Sequence, residues 1–130
     1  WKLWRKYQEM AEREVRFESW RLEGAKVAVV AFGTAARVAK TAVQWARGEG
    51  IAAGLLRPIT LFPFPARAVD EVARRADALL VLEMNTGQMV EDVRASTAEH
   101  GKIQFMGTPC ALPTPEAILA RLRQVAGSAP

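Results

Sequence analysis

The catalytic inventory of this chain is thin, and its most suggestive polar stretch is residues 83–94. Glu83, Asn85 and Gln88 offer a carboxylate and two amides, with Gly87 among them and Met89 directly after. They follow an uninterrupted apolar run, 79–82, of the kind shown by a strand covered on both faces. Asn85-Thr86-Gly87 supplies turn chemistry. From Gly87 the period becomes helical, with Met89, Val90 and Val93 on one side and Glu91, Asp92 and Arg94 on the other. A strand, a tight polar turn and a helix in that order put the polar groups at a strand's carboxyl end, where open α/β sheets meet ligands and partners. Two compatible roles suit them. Asn85 caps the helix while Gln88, three residues on, bonds back as in a capping box. Alternatively, Glu83, Asn85 and Gln88 face a partner loop or a ligand's polar atoms. Arg57, at the end of another strand, pairs with Glu83 if the two strands lie side by side.

Other candidates are weaker. His100, beside Gly101 at the expected end of that helix, suits the helix dipole rather than proton transfer. Cys110 lies in a proline-flanked loop with no base indicated nearby, so it reads as a buried or idle thiol. Gly33-Thr34-Ala35-Ala36 opens a helix after a strand, and its amides suit an anion, but no GxGxxG or Walker pattern accompanies it. Ala31-Phe32-Gly33 stands where a phosphoacceptor receiver domain needs acidic residues. The segment 57–65, with Pro58, Pro63 and Pro65, is stiff and too apolar for an ordinary exposed loop. Its Ile59, Leu61, Phe62 and Phe64 either cover the domain's own core or serve an interface, where rigidity lowers the ordering cost of binding.

The elements that must position these groups follow from periodicity. Residues 1–13 form an amphipathic helix with Leu3, Trp4, Tyr7, Met10 and Ala11 on one face, packed on the domain or docked on another segment. Residues 15–22 form an edge strand with a bulge near Ser19, and Glu23-Gly24 is a turn. This strand lies antiparallel to its successor if the two are adjacent. A strand at 27–32 leads to Thr34 as N-cap of a helix through 47, lined by Ala35, Ala39, Ala42 and Ala46 and ended by Gly48 and Gly50. Next come a strand at 51–56, a helix from Pro65 through 75, and the strand and helix of the polar turn, the latter closing near His100-Gly101. A strand at 102–106 and a helix capped by Thr114, with Pro115 and Glu116 in its first turn and Ile118, Leu119, Leu122 and Val125 inward, complete the chain.

Strand and helix therefore alternate. The fold class is α/β: a three-layer α/β/α sandwich on a mostly parallel sheet of about five strands, the first antiparallel. With 130 residues, 50% apolar and a net charge of +4, one domain with a real core is expected. Residues 1–22 read as a helix and edge strand leading in from a missing preceding domain, 23–126 as the α/β domain, and 127–130 as a frayed tail. The first residue is Trp rather than Met, which suggests a piece of a longer chain. No apolar run approaches the ~20 residues of a membrane span. One cysteine excludes an internal disulfide or a multi-cysteine zinc site, and a cytoplasmic setting is the default. Arginines interleaved with acids describe a solvated surface rather than a nucleic-acid face.

Four motifs taken together resemble the 2-oxoacid:ferredoxin oxidoreductases, in the C-terminal domain of their alpha subunit. They are Val-Ala-Phe-Gly-Thr-Ala-Ala-Arg-Val-Ala-Lys at 30–40, Arg-Pro-Ile-Thr-Leu-Phe-Pro-Phe-Pro at 57–65, Glu-Met-Asn-Thr-Gly-Gln-Met-Val-Glu-Asp-Val-Arg at 83–94 and Pro-Thr-Pro-Glu at 113–116. The resemblance covers residues 15–124 and departs at Cys110-Ala111, where the family tends to have a glycine pair. It implies a domain like the C-terminal domain of transketolase. It also implies a whole enzyme that uses thiamine diphosphate to decarboxylate a 2-oxoacid, such as 2-oxoisovalerate or 2-oxoglutarate, oxidatively. Iron–sulfur clusters would carry the electrons to ferredoxin, and acyl-CoA would form. The family's thiamine fingerprint and CxxC cluster ligands are absent from this stretch. The resemblance thus implies a piece without catalytic residues or metal. It would shape the interface with other domains and subunits, and the approach of CoA, through Arg57, Pro58, Phe62, Phe64, Glu83, Asn85, Gly87, Gln88 and Met89. A homodimer of the isolated chain is also expected. The alternative is a stand-alone small-ligand or protein-interaction module.

Overall fold

The computed structural model of the chain describes residues 1–84 and 87–128. Helix α1 (Lys2–Arg13) precedes β1 (Phe17–Trp20) and β2 (Val27–Val30). Then α2 (Gly33–Gly48), β3 (Ala53–Pro58), α3 (Ala66–Arg75), β4 (Ala78–Glu83) and α4 (Met89–Ser96) alternate. A short 3₁₀ turn at His100–Lys102, β5 (Ile103–Gly107) and α5 (Pro115–Ser128) follow. The five strands form one sheet in the order β1-β3-β2-β4-β5. β1 runs antiparallel to β3, and every other pair is parallel.

Alternation along the strands divides the core. Val27, Val29, Leu55, Leu80 and Leu82 point to the side covered by α2 and α5. Val30, Leu56, Leu79 and Val81 point to the side covered by α3 and α4. β2 and β4 are buried along their whole length, as parallel strands with helices on both faces must be. The alanine stripe of α2 is buried as its spacing predicts: Ala35, Ala39, Ala42 and Ala46 let the helix lie close to the sheet and α5.

Several boundaries differ from the sequence reading, each for a local reason. β1 is antiparallel as expected, but its neighbour is β3, not the β2 that follows it in the chain. The link therefore crosses β3. It turns at Arg21 (φ 57) and passes so close to Gly54 that a Cβ there would fall 2.6 Å from the Arg21 carbonyl oxygen. Pairing with β1 also carries β3 on through Arg57 and Pro58, opposite Glu18 and Phe17, so these two residues are strand rather than loop. Thr34 does not cap α2. Gly33, with φ 60, turns the chain straight from strand to helix, Phe32 takes the cap position, and Thr34 sits exposed in the first turn. Pro65 stands just ahead of α3 instead of opening it. α4 ends at Ser96 because Thr97 is extended, which leaves His100 in the 3₁₀ turn. Thr114 does cap α5, its Oγ1 accepting the Ala117 N–H at 3.1 Å. Ile118, Leu119, Leu122 and Val125 are buried, and the helix continues through Ser128.

Candidate functional site

The polar turn after β4 is organised by Glu83. This last residue of the strand is fully buried. Its Oε1 accepts the N–H of Met89 at 2.5 Å and its Oε2 accepts that of Val90 at 2.9 Å. A buried carboxylate is costly unless hydrogen-bonded, and the N-terminus of a helix supplies both orphan donors and the favourable end of the dipole. So the carboxylate is turned into the fold, where it caps α4. The backbone carbonyl of Glu83 in turn accepts the Thr108 N–H at 2.9 Å, tying in the loop after β5. Gly87 has φ 113, and a Cβ there would press on Val90 Cγ1 at 3.2 Å and Phe105 Cζ at 3.5 Å. Only glycine fits. Gln88 stands at the N-cap position and Met89 is buried. Asn85, assigned with Gln88 to a capping box, lies outside the described residues, as does Thr86. The sequence signal for capping by Glu83 was a strand-terminal carboxylate six residues ahead of the first helical amide, with a glycine between.

Arg57 does not meet Glu83. β2 lies between β3 and β4, so the two side chains stand two strand spacings apart, roughly 10 Å. Its partner is Glu18, directly opposite on β1, at 3.3 Å. Pro58 is buried, and Phe64 is half-buried against the α3–α4 core. The loop between them turns outward: Ile59 is 49% exposed, Leu61 42% and Phe62 75%. The segment is nonetheless pinned. Ile59 and Thr60 donate their N–H groups to the Arg16 carbonyl at 2.9 and 3.2 Å. Thr60 Oγ1 accepts the Arg16 N–H at 3.0 Å and donates to the Pro63 carbonyl at 2.8 Å. The Phe62–Pro63 bond is cis.

α1 brings its apolar face to the same place and leaves it uncovered. Leu3 is 64% exposed, Trp4 57% and Tyr7 49%, and none of the described side chains of α1 enters either core cluster. Tyr7 meets Phe62 edge-on, with ring centroids 6.3 Å apart. Trp4, Tyr7, Met10, Phe62 and Pro63 line a shallow hollow of about 200 Å³. Helix and loop thus form one apolar band rimmed by Lys2, Arg5, Lys6 and Glu9.

The remaining candidates have local explanations. His100 Nε2 lies 2.8 Å from the Arg94 carbonyl in the last turn of α4. Cys110 is exposed rather than buried and has φ 60, a backbone that glycine adopts at no cost. The single cysteine does not fit an iron–sulfur cluster, which needs several thiolates. Among the described residues no three His, Cys, Asp or Glu side chains gather as a metal site. No helix among them is long and apolar enough to cross a membrane.

Comparison with known proteins bears on the whole of this architecture. Residues 25–110 match the family model described as pyruvate:ferredoxin oxidoreductase core domain II. The ketoisovalerate oxidoreductase subunit VorB of Methanothermobacter marburgensis is 47% identical over 92 residues, covering 71% of this chain and 26% of that protein. The chain thus spans about a quarter of the length of this curated relative. Among solved structures, 2-oxoglutarate:ferredoxin oxidoreductase from Magnetococcus marinus, with 2-oxoglutarate, coenzyme A and succinyl-CoA bound, superposes with a TM-score of 0.81 at 26% identity, over 92% of this chain and 21% of that one. A split-gene transketolase, an inactive β4 tetramer, shares the fold with a TM-score of 0.67 at 20% identity, over 88% of this chain and 42% of that one.

Proposed function

The chain belongs to the pyruvate:ferredoxin oxidoreductase core domain II family of the 2-oxoacid:ferredoxin oxidoreductases, and on that premise we propose that it is the C-terminal, interface-forming domain of such an enzyme's alpha subunit. The whole enzyme would be a cytoplasmic thiamine-diphosphate system. It oxidatively decarboxylates a 2-oxoacid such as 2-oxoisovalerate or 2-oxoglutarate to an acyl-CoA and passes the electrons to ferredoxin. Thiamine diphosphate and the iron–sulfur clusters are held elsewhere in it, this domain shapes the interface and the approach of CoA, and alone it is catalytically silent.

The observation that carries the reading is the exposed aromatic surface where Trp4 and Tyr7 of α1 meet Phe62, with Leu3, Ile59 and Leu61 also exposed on the same two segments. Contiguous aromatic surface on a soluble domain marks an interaction site, and aromatic residues in a rigid setting are what interfaces use as anchors. The loop is already fixed by Thr60 and Arg16, so little ordering cost remains to be met on docking. The occupant is another domain or subunit of the oxidoreductase; in the isolated chain a second copy takes its place. Sedimentation of the isolated chain should show concentration-dependent self-association that Tyr7→Ser or Phe62→Ser abolishes. A strict monomer at high concentration would overturn the assignment.

A further inference from the structure

A second feature lies on the α2 side of the sheet edge and owes nothing to the apolar band. Alternation sends Glu18 and Trp20 of β1, and Leu55 and Arg57 of β3, toward the start of α2. There Ala36, Arg37 and Lys40 close a hollow of about 140 Å³. Its charges are unbalanced: three cations face one carboxylate. The guanidinium of Arg57 spends one corner on Glu18 at 3.3 Å, long for a charge-assisted hydrogen bond, which is commonly about 2.7–2.9 Å. Its Nε is buried and has no hydrogen-bond partner among the described residues. That Nε is closed to solvent, but the side chain as a whole is 34% exposed, and a guanidinium carries five N–H donors. Neither Arg37 nor Lys40 forms an ion pair among the described residues. The Lys40 ammonium instead stands 5.0 Å from the centre of the Trp20 ring. Ala36, small and in the first turn of α2, leaves room and brings the positive end of the helix dipole to the same place.

We propose that this hollow binds a small oxyanion, a phosphoryl or carboxylate group, with Arg57 as its principal donor. Arg37 and Lys40 supply flanking charge, Lys40 being held over the indole of Trp20. Glu18 is the built-in competitor: an arriving anion takes over the guanidinium that Glu18 holds loosely. The inference stands on the hollow alone and survives failure of the interface assignment.

Amide and indole NMR spectra of the isotope-labelled chain, titrated at constant ionic strength with inorganic phosphate in one arm and acetate in the other, test it. Saturable shifts confined to residues 18–20, 36–40 and 55–57 are expected, and the tighter of the two anions identifies the group preferred. Arg57→Met should weaken binding about tenfold, the loss of a charge-assisted hydrogen bond. Glu18→Gln should tighten it about threefold, and exposed Lys40→Gln should weaken it by a similar factor even if Arg57→Met fails to fold. Arg94→Met, a cation elsewhere, should leave it unchanged. Unsaturating shifts spread over all cations, or equal binding by wild type and the folded Arg57 and Lys40 variants, would overturn the proposal.

Discussion

Replacing Glu83 probes the joint between β4 and α4 most directly. Its buried carboxylate accepts two backbone N–H groups, those of Met89 and Val90, at 2.5 and 2.9 Å. Glu83→Gln keeps the shape and one acceptor oxygen but turns an NH₂ group toward an N–H. One amide loses its acceptor, a charge-assisted bond of about 1.5–3 kcal/mol. The favourable interaction of negative charge with the helix start, up to about 2 kcal/mol in a sheltered site, is lost with it. Against these losses, an amide is easier to bury than a carboxylate. The net expectation is a destabilisation of about 2–3 kcal/mol. Glu83→Ala removes both acceptors and leaves a void beside Val90, and should cost about 4 kcal/mol. For a chain of this size these figures correspond to a Tm lowered by roughly 6–15 °C for glutamine and more for alanine. Urea denaturation gives the free energy, and amide hydrogen exchange gives the location. Protection of Met89 and Val90 should fall further than that of the α5 amides. A glutamine variant within about 0.5 kcal/mol of wild type, or unchanged exchange at those two amides, would refute the capping role of Glu83.

Two other perturbations read different parts of the fold. Gly54→Ala places a Cβ 2.6 Å from the Arg21 carbonyl oxygen and 2.9 Å from Leu22 Cα, both backbone atoms that cannot swing aside. It should destabilise by about 2–3 kcal/mol, and an unchanged urea midpoint would contradict the crossing described for the β1–β2 link. At the far end of α2, the Arg123 guanidinium donates to Glu49, with Nε 2.8 Å from Oε2, and holds that carboxyl below the usual glutamate range while desolvation opposes the shift. Because the folded value lies below the unfolded one, the pair's contribution is complete above the ordinary glutamate range. It is lost as pH falls through the depressed folded value. Carbon-detected titration of Glu49 should show that low midpoint, and Arg123→Gln should return it to the ordinary range; a midpoint indifferent to Arg123 refutes the pairing.

How much of this was legible in the sequence depended on how local the cause was. The run 79–82, the alanine stripe of α2 and the inward stripe of α5 declare themselves because burial on one helix face or both sheet faces imprints a period. Thr114 was readable as a cap because the cap and its amide are three residues apart. The partner of Arg57 was not, since strand order is set by which edges can pair, and β2 intrudes between β3 and β4. The end of β3 was misjudged for the same reason: Arg57 and Pro58 are strand only because β1 lies beside them. Glu83 was legible as important but not in its orientation, because an acid after an apolar strand looks the same facing water or facing a helix terminus. The need for glycine at 54 comes from a passing segment more than thirty residues upstream, and no local pattern announces it.

β1 connects the two functional readings although it is only four residues long. Its period of two sends Phe17 and Ser19 to the α3 side and Glu18 and Trp20 to the α2 side, so one strand lines hollows on both faces of the sheet. Arg16, just before it, holds the loop that presents Phe62. β1 is a short edge strand joined to the sheet through β3 alone. The exposed charge pair of Glu18 with Arg57 spans the same two strands. It is the side-chain link between the strand that steadies the apolar band and the cation that faces the oxyanion hollow.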